Sequence, residues 1–143
     1  MFESIVVGTD GSPSAGRAVA AAIQLAVDHC AQLHVVAVRR PSGLALTAES
    51  VAFAGAVAQH EQAAHHRERL ALAEALSAAL RAGVAAKTHQ GCGDPATVLV
   101  QVADEERADL LVVGNRRSRF LRTSVATQVA SSARCTVHIV PTT

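Results

Sequence analysis

The sequence predicts an α/β fold, a doubly wound five-stranded parallel sheet with helices on both faces. Three observations carry this expectation. Short apolar runs rich in Val and Ile alternate with longer Ala- and Leu-rich stretches of helical period, in the order βαβαβαβαβ. Leu110–Val113 is apolar throughout, as a strand covered on both faces should be. Two helices open with a capping residue followed by proline, Ser12-Pro13 and Asp94-Pro95.

Taken in order, Ser4–Val7 reads as a buried strand closed by the tight turn Gly8-Thr9-Asp10-Gly11-Ser12-Pro13. The helix behind it runs to about Cys30, with Ala15, Val19, Ala22, Ile23 and Ala26 on one face. Leu33–Val38 is the second strand, and the helical crossover makes it parallel to the first. Residues 44–56 are small and apolar and read as loop or as a frayed helix start. From Val57 to Arg81 the pattern is helical, with Leu70, Ala73, Leu76 and Leu80 along one face and Gly83 as the stop. Val84–His89 is the expected third strand and Gly91-Cys92-Gly93 the turn after it. The next helix turns Val98, Leu99, Val102 and Ala103 inward and shows Asp104, Glu105, Glu106 and Arg107 to water. Leu110–Val113, Thr123–Ala133 and Thr136–Val140 supply the fourth strand, the last helix and the last strand.

A chain of 143 residues suits one domain spanning 1–143, with enough residues for a proper core. There is no Trp or Tyr, and the aromatics are Phe2, Phe53 and Phe120, so Ala, Val and Leu do the packing. A net charge of +1 argues against a general nucleic-acid surface, which draws on clustered Lys and Arg. Cys30, Cys92 and Cys135 have no CxxC spacing and leave one thiol over in any disulfide scheme, which suits a reduced compartment. No run approaches the roughly 18–20 apolar residues that span a bilayer, and MFESIVVGTDGS reads as a strand, so a cytoplasmic protein is expected.

In open parallel sheets, ligands collect where strand carboxyl ends meet helix amino ends, because unpaired backbone N–H groups point there. Two turns should meet at that edge, Gly8–Ser12 after the first strand and Gly114–Ser124 after the fourth. Asp10 is placed to bind ribose hydroxyls or a metal, or simply to cap its own turn. Gly114 lets backbone approach a ligand or merely ends a strand. Thr123 and Ser124 can hold a phosphate or serve as a plain N-cap. Arg116, Arg117, Arg119 and Arg122 crowd one short loop, either as an anion clamp or as a solvated basic loop.

With IVVGTDGSPSAGRAV at the start, LHVVAV, GDPATVLVQVADEERADLLVVG and the ending SVATQVASSARCTVHIVP, nearly the whole chain resembles the universal stress protein family. The resemblance implies strand order 3-2-1-4-5, a stress or signalling role, and a homodimer joined through Thr136–Val140. An apolar edge strand there would itself invite pairing. In one branch of the family the resemblance implies an adenine nucleotide (ATP, AMP or cyclic AMP) in the crevice. Asp10 would then meet the ribose or a phosphate-bound Mg, beside Gly8. Thr9 and Val38 would frame the adenine, Val38 through its backbone. Val113, Gly114, Asn115 and Arg116 would open the phosphate loop, and Thr123, Ser124 and Val125 would close it.

The loop departs from the pattern G-x2-G-x9-G-[ST] of nucleotide-binding members. Arg117 stands at the second glycine position, Thr123 at the third, and the loop is four residues shorter. A Cβ at those positions limits how near backbone amides come to a triphosphate. Either Arg117 and Arg119 replace the amides as a clamp for a nucleotide, or the protein acts without one through its dimer or partner surface.

Catalysis ranks behind binding. GxSxG, GxxxxGK[ST] and a complete GxGxxG are all missing, and Asp10 is the one evident water-activating group for a weak ATP hydrolase. His60, His65 and His66 do not stack at i, i+4, and Glu61 with His65 makes only two ligands. His89 and Cys92 flank a glycine without a second pair. His34 and His138 are expected in strands, at hydrogen-bonded or edge positions.

Overall fold

The computed structural model describes residues 1–40, 54–115 and 124–141; of 54–61 it describes the backbone alone. The elements are β1 (Ser4–Thr9), α1 (Pro13–His29), β2 (Gln32–Arg39), α2 (Ala54–Arg81), β3 (Ala86–Cys92), α3 (Pro95–Glu105), β4 (Leu110–Gly114), α4 (Val125–Ser132) and β5 (Thr136–Val140). The strands form one parallel sheet in the order β3-β2-β1-β4-β5. Both the fold class and the strand order are as expected.

The strand period of two sorts the core into two layers. Ile5, Val7, Leu33, Val35, Ala37, Leu110 and Val112 face α1 and α2. Val6, Val36, Leu111 and Val113 face α3 and α4. Each fully buried Val, Leu or Ile contributes about 1.5–3 kcal/mol, so the central strands β1, β2 and β4 are the stable frame.

The helices lie close because their inner faces are small. On α1 the buried residues are Ala15, Ala18, Val19, Ala22 and Ala26, with Ile23 only half-buried. On α2 the expected inner face is displaced. Ala71, Leu72, Ala75 and Ala79 are buried, whereas Leu70 and Leu80 are 51% and 60% exposed and Ala73 is exposed. Apolar residues occur on more than one side of this helix, so periodicity alone does not choose between them. Close packing on the sheet selects the alanine-rich stripe.

The third strand also differs from expectation. It runs from Ala86 to Cys92, so Gly91 and Cys92 belong to the strand, and the turn begins at Gly93, whose N–H donates to Arg39 O at 2.9 Å. Val84 is a buried residue of the preceding loop, its N–H donating to Ala79 O. Pairing with β2 extends the strand through Val38↔Gly91 and Arg39↔Cys92. Gly91 is required there because a Cβ would lie 2.5 Å from Val98 Cγ1. The region around 44–56 falls outside the described residues up to 53, and α2 already runs from Ala54.

Candidate functional site

The crevice opens where β1 and β4 part. Their pairing stops at Val7↔Val112, while β1 continues beside β2 to Thr9↔Ala37 and β4 continues beside β5 to Gly114↔Val140. Gly8 and Thr9 therefore stand across a gap from Val113 and Gly114 at the carboxyl edge. Of the two turns expected to meet, Gly8–Ser12 borders this gap, as does Gly114 at the start of the second, whose residues 116–123 lie outside the described residues.

The β1 turn is held by its own side chains. Thr9 Oγ1 accepts from Gly11 N–H at 3.3 Å, and Asp10 Oδ1 accepts from Ser12 N–H at 2.9 Å. Gly11, at φ 80°, takes a left-handed conformation that favours glycine. Ser12 then caps α1 by accepting from Ala15 N–H. Asp10 is exposed, so its capping bond leaves it at the mouth of the crevice. Gly8 backs onto α3, where a Cβ would sit 3.0 Å from the Leu99 methyls.

On the other wall, Val113 is 3% exposed with its side chain in the core, which leaves only its backbone toward the gap. Gly114 makes a close approach of a kind the sequence did not indicate. A Cβ there would lie 2.7 Å from Ser14 Oγ and 3.1 Å from Ser14 O, so the missing side chain admits the first turn of α1. Ser14 Oγ is buried and has no hydrogen-bond partner among the described residues. Sequence reasoning missed this residue, since only the packing of α1 on β4 reveals it. The Asn115 N–H donates to Val140 O at 2.9 Å.

Ser124 caps α4, accepting from Thr127 N–H at 3.1 Å, with its hydroxyl 2.9 Å from Thr127 Oγ1. Val38 and Val125 are half-buried against the core under α3 and α4. Arg116, Arg117, Arg119, Arg122 and Thr123 lie outside the described residues.

A second constellation lies under the opposite half of the sheet. His34 on β2 is 3% exposed, and its Nδ1 is 3.0 Å from His89 Nε2 on β3. Its Nε2 is 3.9 Å from Glu106 Oε2, just beyond α3. Burial pushes the His34 pKa below the ordinary value; Glu106 opposes that shift, and His89 and Lys87 add to it. The expectation of a hydrogen-bonded strand histidine thus holds for His34. His89 turns to His34 and away from the exposed Cys92, whereas His138 is exposed on β5. Cys30, Cys92 and Cys135 are free thiols, and burial raises the Cys135 pKa.

The model of the universal stress protein family matches residues 1–141. The chain belongs to this family. It is 36% identical to the universal stress protein Rv1636 of Mycobacterium tuberculosis, over 99% of this chain and 98% of that one. It is 31% identical to YxiE of Bacillus subtilis over 98% and 99%. Among solved structures, a universal stress protein in complex with cAMP superposes with a TM-score of 0.73, at 31% identity over 99% and 98% of the two chains. One from Archaeoglobus fulgidus in complex with dAMP gives 0.69, at 25% identity over 97% and 98%. No helix among the described residues is long and apolar enough to cross a membrane.

Proposed function

We propose that this protein is a stress-response module that binds an adenine nucleotide, AMP or cyclic AMP in preference to ATP, in the crevice between β1 and β4. The observation that carries the reading is the parting of those strands beyond Val7↔Val112, flanked by the Asp10 turn and the amino ends of α1 and α4. Family relatives bound to cAMP and dAMP support it. Thr9 and the Val38 backbone frame the base, and Asp10 meets the ribose, or Mg when a polyphosphate is bound. Arg117 and Arg119, beside Asn115 and Arg116, supply charge that the substituted glycines no longer let the backbone deliver. Ser124 and Val125 present the helix end after Thr123. Ser14 Oγ, buried beside Gly114, is a donor that a ligand oxygen can satisfy.

The test is calorimetric titration of the nucleotide-stripped protein with ATP, AMP and cyclic AMP, with and without Mg. Saturable binding should weaken about 10- to 100-fold in Asp10→Ala and in the Arg117/Arg119 double variant, the scale of lost charge-assisted contacts. Absence of heat with all three nucleotides would refute the reading.

A second reading, action through a surface without nucleotide, is favoured by one observation. The space beside Gly114 is filled by Ser14, so this glycine already has a packing role. The surface in question is β5, an edge strand whose Ile139 is 41% exposed and through which we expect a homodimer to form. Ile139→Lys should shift the protein toward monomer in sedimentation.

A further inference from the structure

We propose that His34, His89 and Glu106 form a binding site for a divalent transition-metal ion of the Zn2+ class, separate from the crevice. One donor atom from each residue lies within 4.8 Å of the other two. Bonds of roughly 2.0–2.1 Å in a tetrahedral site place ligand atoms about 3.3 Å apart. The His34 Nδ1 to His89 Nε2 distance of 3.0 Å is already close to that separation. An imidazole gives one ion only one of its nitrogens, so with His34 Nδ1 and His89 Nε2 as ligands Glu106, whose Oε2 lies 3.9 Å from the other ring nitrogen Nε2, is the ligand that must swing to the Nδ1 side; its side chain is 35% exposed and able to rotate.

The donor set is imidazole and carboxylate, which suits Zn2+ and its first-row neighbours better than Ca2+ or Mg2+. The residues are also held in place. His34 is packed in the sheet, His89 is fixed by the β2–β3 ladder, and the Glu106 carbonyl accepts from Ser4 Oγ at 3.3 Å. The fourth position is left to water at the Glu106 side, where the site opens to solvent.

Lys87 is the charge that opposes a cation here, being level with His34 on β3, but it is exposed and can turn away. The site is not part of the crevice. His34 pairs with Val6, and four residues of strand, about 13 Å, separate it from Val38. A bound ion would tie edge strand β3 and the end of α3 to the central strand β2. That makes stability, and not nucleotide affinity, its direct readout.

The experiment titrates chelator-stripped, reduced protein with Zn2+ at pH 7.5 by calorimetry, and with Co2+ by visible absorption. Expected are one saturable site, a rise in melting temperature with Zn2+, and at least about tenfold weaker binding in both His89→Gln and Glu106→Gln. His65→Gln/His66→Gln on α2 should keep the site intact. Each variant's far-ultraviolet dichroism and metal-free melting curve establish that it folds. If His89→Gln does not fold, Glu106→Gln, altered at a partly exposed position, decides the matter alone. Unchanged affinity in the folded His89 and Glu106 variants, binding only at millimolar Zn2+, or a thiolate-to-Co2+ absorption band would each overturn the assignment.

Discussion

At the carboxyl edge of the sheet, the side chains that cap the turns and helices bond near neighbours in sequence. Asp10 holds Ser12, Ser12 holds Ala15, and Ser124 holds Thr127, each over two or three residues. At the amino edge polar side chains bond across the chain. The Asp109 carboxylate accepts from Glu3 N–H at 2.9 Å and Ser4 N–H at 3.1 Å, 106 and 105 residues away. His34 meets His89 across 55 residues. Local bonds of this kind persist where β1 and β4 part. Long-range bonds exist only in the folded sheet, and they clamp the opposite edge shut.

The contrast is sharpest at Asp109. Asp109→Ala removes two charge-assisted bonds that join the start of β1 to the start of β4, and it should lower stability by about 2–3 kcal/mol in denaturant unfolding. Nucleotide affinity should be little changed, because the crevice lies at the other end of the strands. An equal loss of affinity would mean that the two edges are coupled.

Gly114→Ala attacks the carboxyl edge where it is least local. The new Cβ meets Ser14 Oγ and Ser14 O, so α1 must shift, at an expected cost of about 1–3 kcal/mol. Ser14→Ala should leave the ligand-free protein as stable or slightly more so, because the buried hydroxyl has no partner to lose among the described residues. In the proposed nucleotide complex it should cost affinity several-fold. Ser124→Ala, which removes an ordinary cap, should cost about 1 kcal/mol. Urea melts of the three variants side by side test whether the close approach at Gly114 outweighs the caps.

The same contrast explains what could be read in advance. The strands and helix caps were legible because they rest on short-range signals, Ser12-Pro13, Asp94-Pro95 and apolar runs of strand length, and the strand order because the resemblance to the family implies it. The inner face of α2 was not, because Leu70, Leu72, Leu76 and Leu80 offer competing stripes and only contact with β2 and β3 selects one. The end of β3 was misplaced because Gly91 carries a turn signal, whereas its reason for being glycine is Val98, seven residues on and one layer above. Ser14 beside Gly114, and His34 with His89 and Glu106, have no sequence signature at all. They are neighbours only through the order β3-β2-β1-β4-β5 and the helices laid across it.

The smallest effect concerns pH, and it probes the clamped edge. The His34 pKa lies below its unfolded value of about 6.5, first through burial and then through His89 and Lys87, with Glu106 acting the other way. Well above pH 6.5 the ring is neutral in both states and stability does not depend on it. As pH falls below that value the unfolded chain takes up a proton that the folded chain does not, so the unfolded state is favoured. One such group gives a slope of at most about 1.4 kcal/mol per pH unit, ending at the lowered folded pKa. In metal-stripped protein, His34→Gln should flatten the stability profile below pH 6.5 relative to wild type and leave the difference between them constant above it. A steeper acid limb in the variant would show that Glu106 outweighs burial at His34.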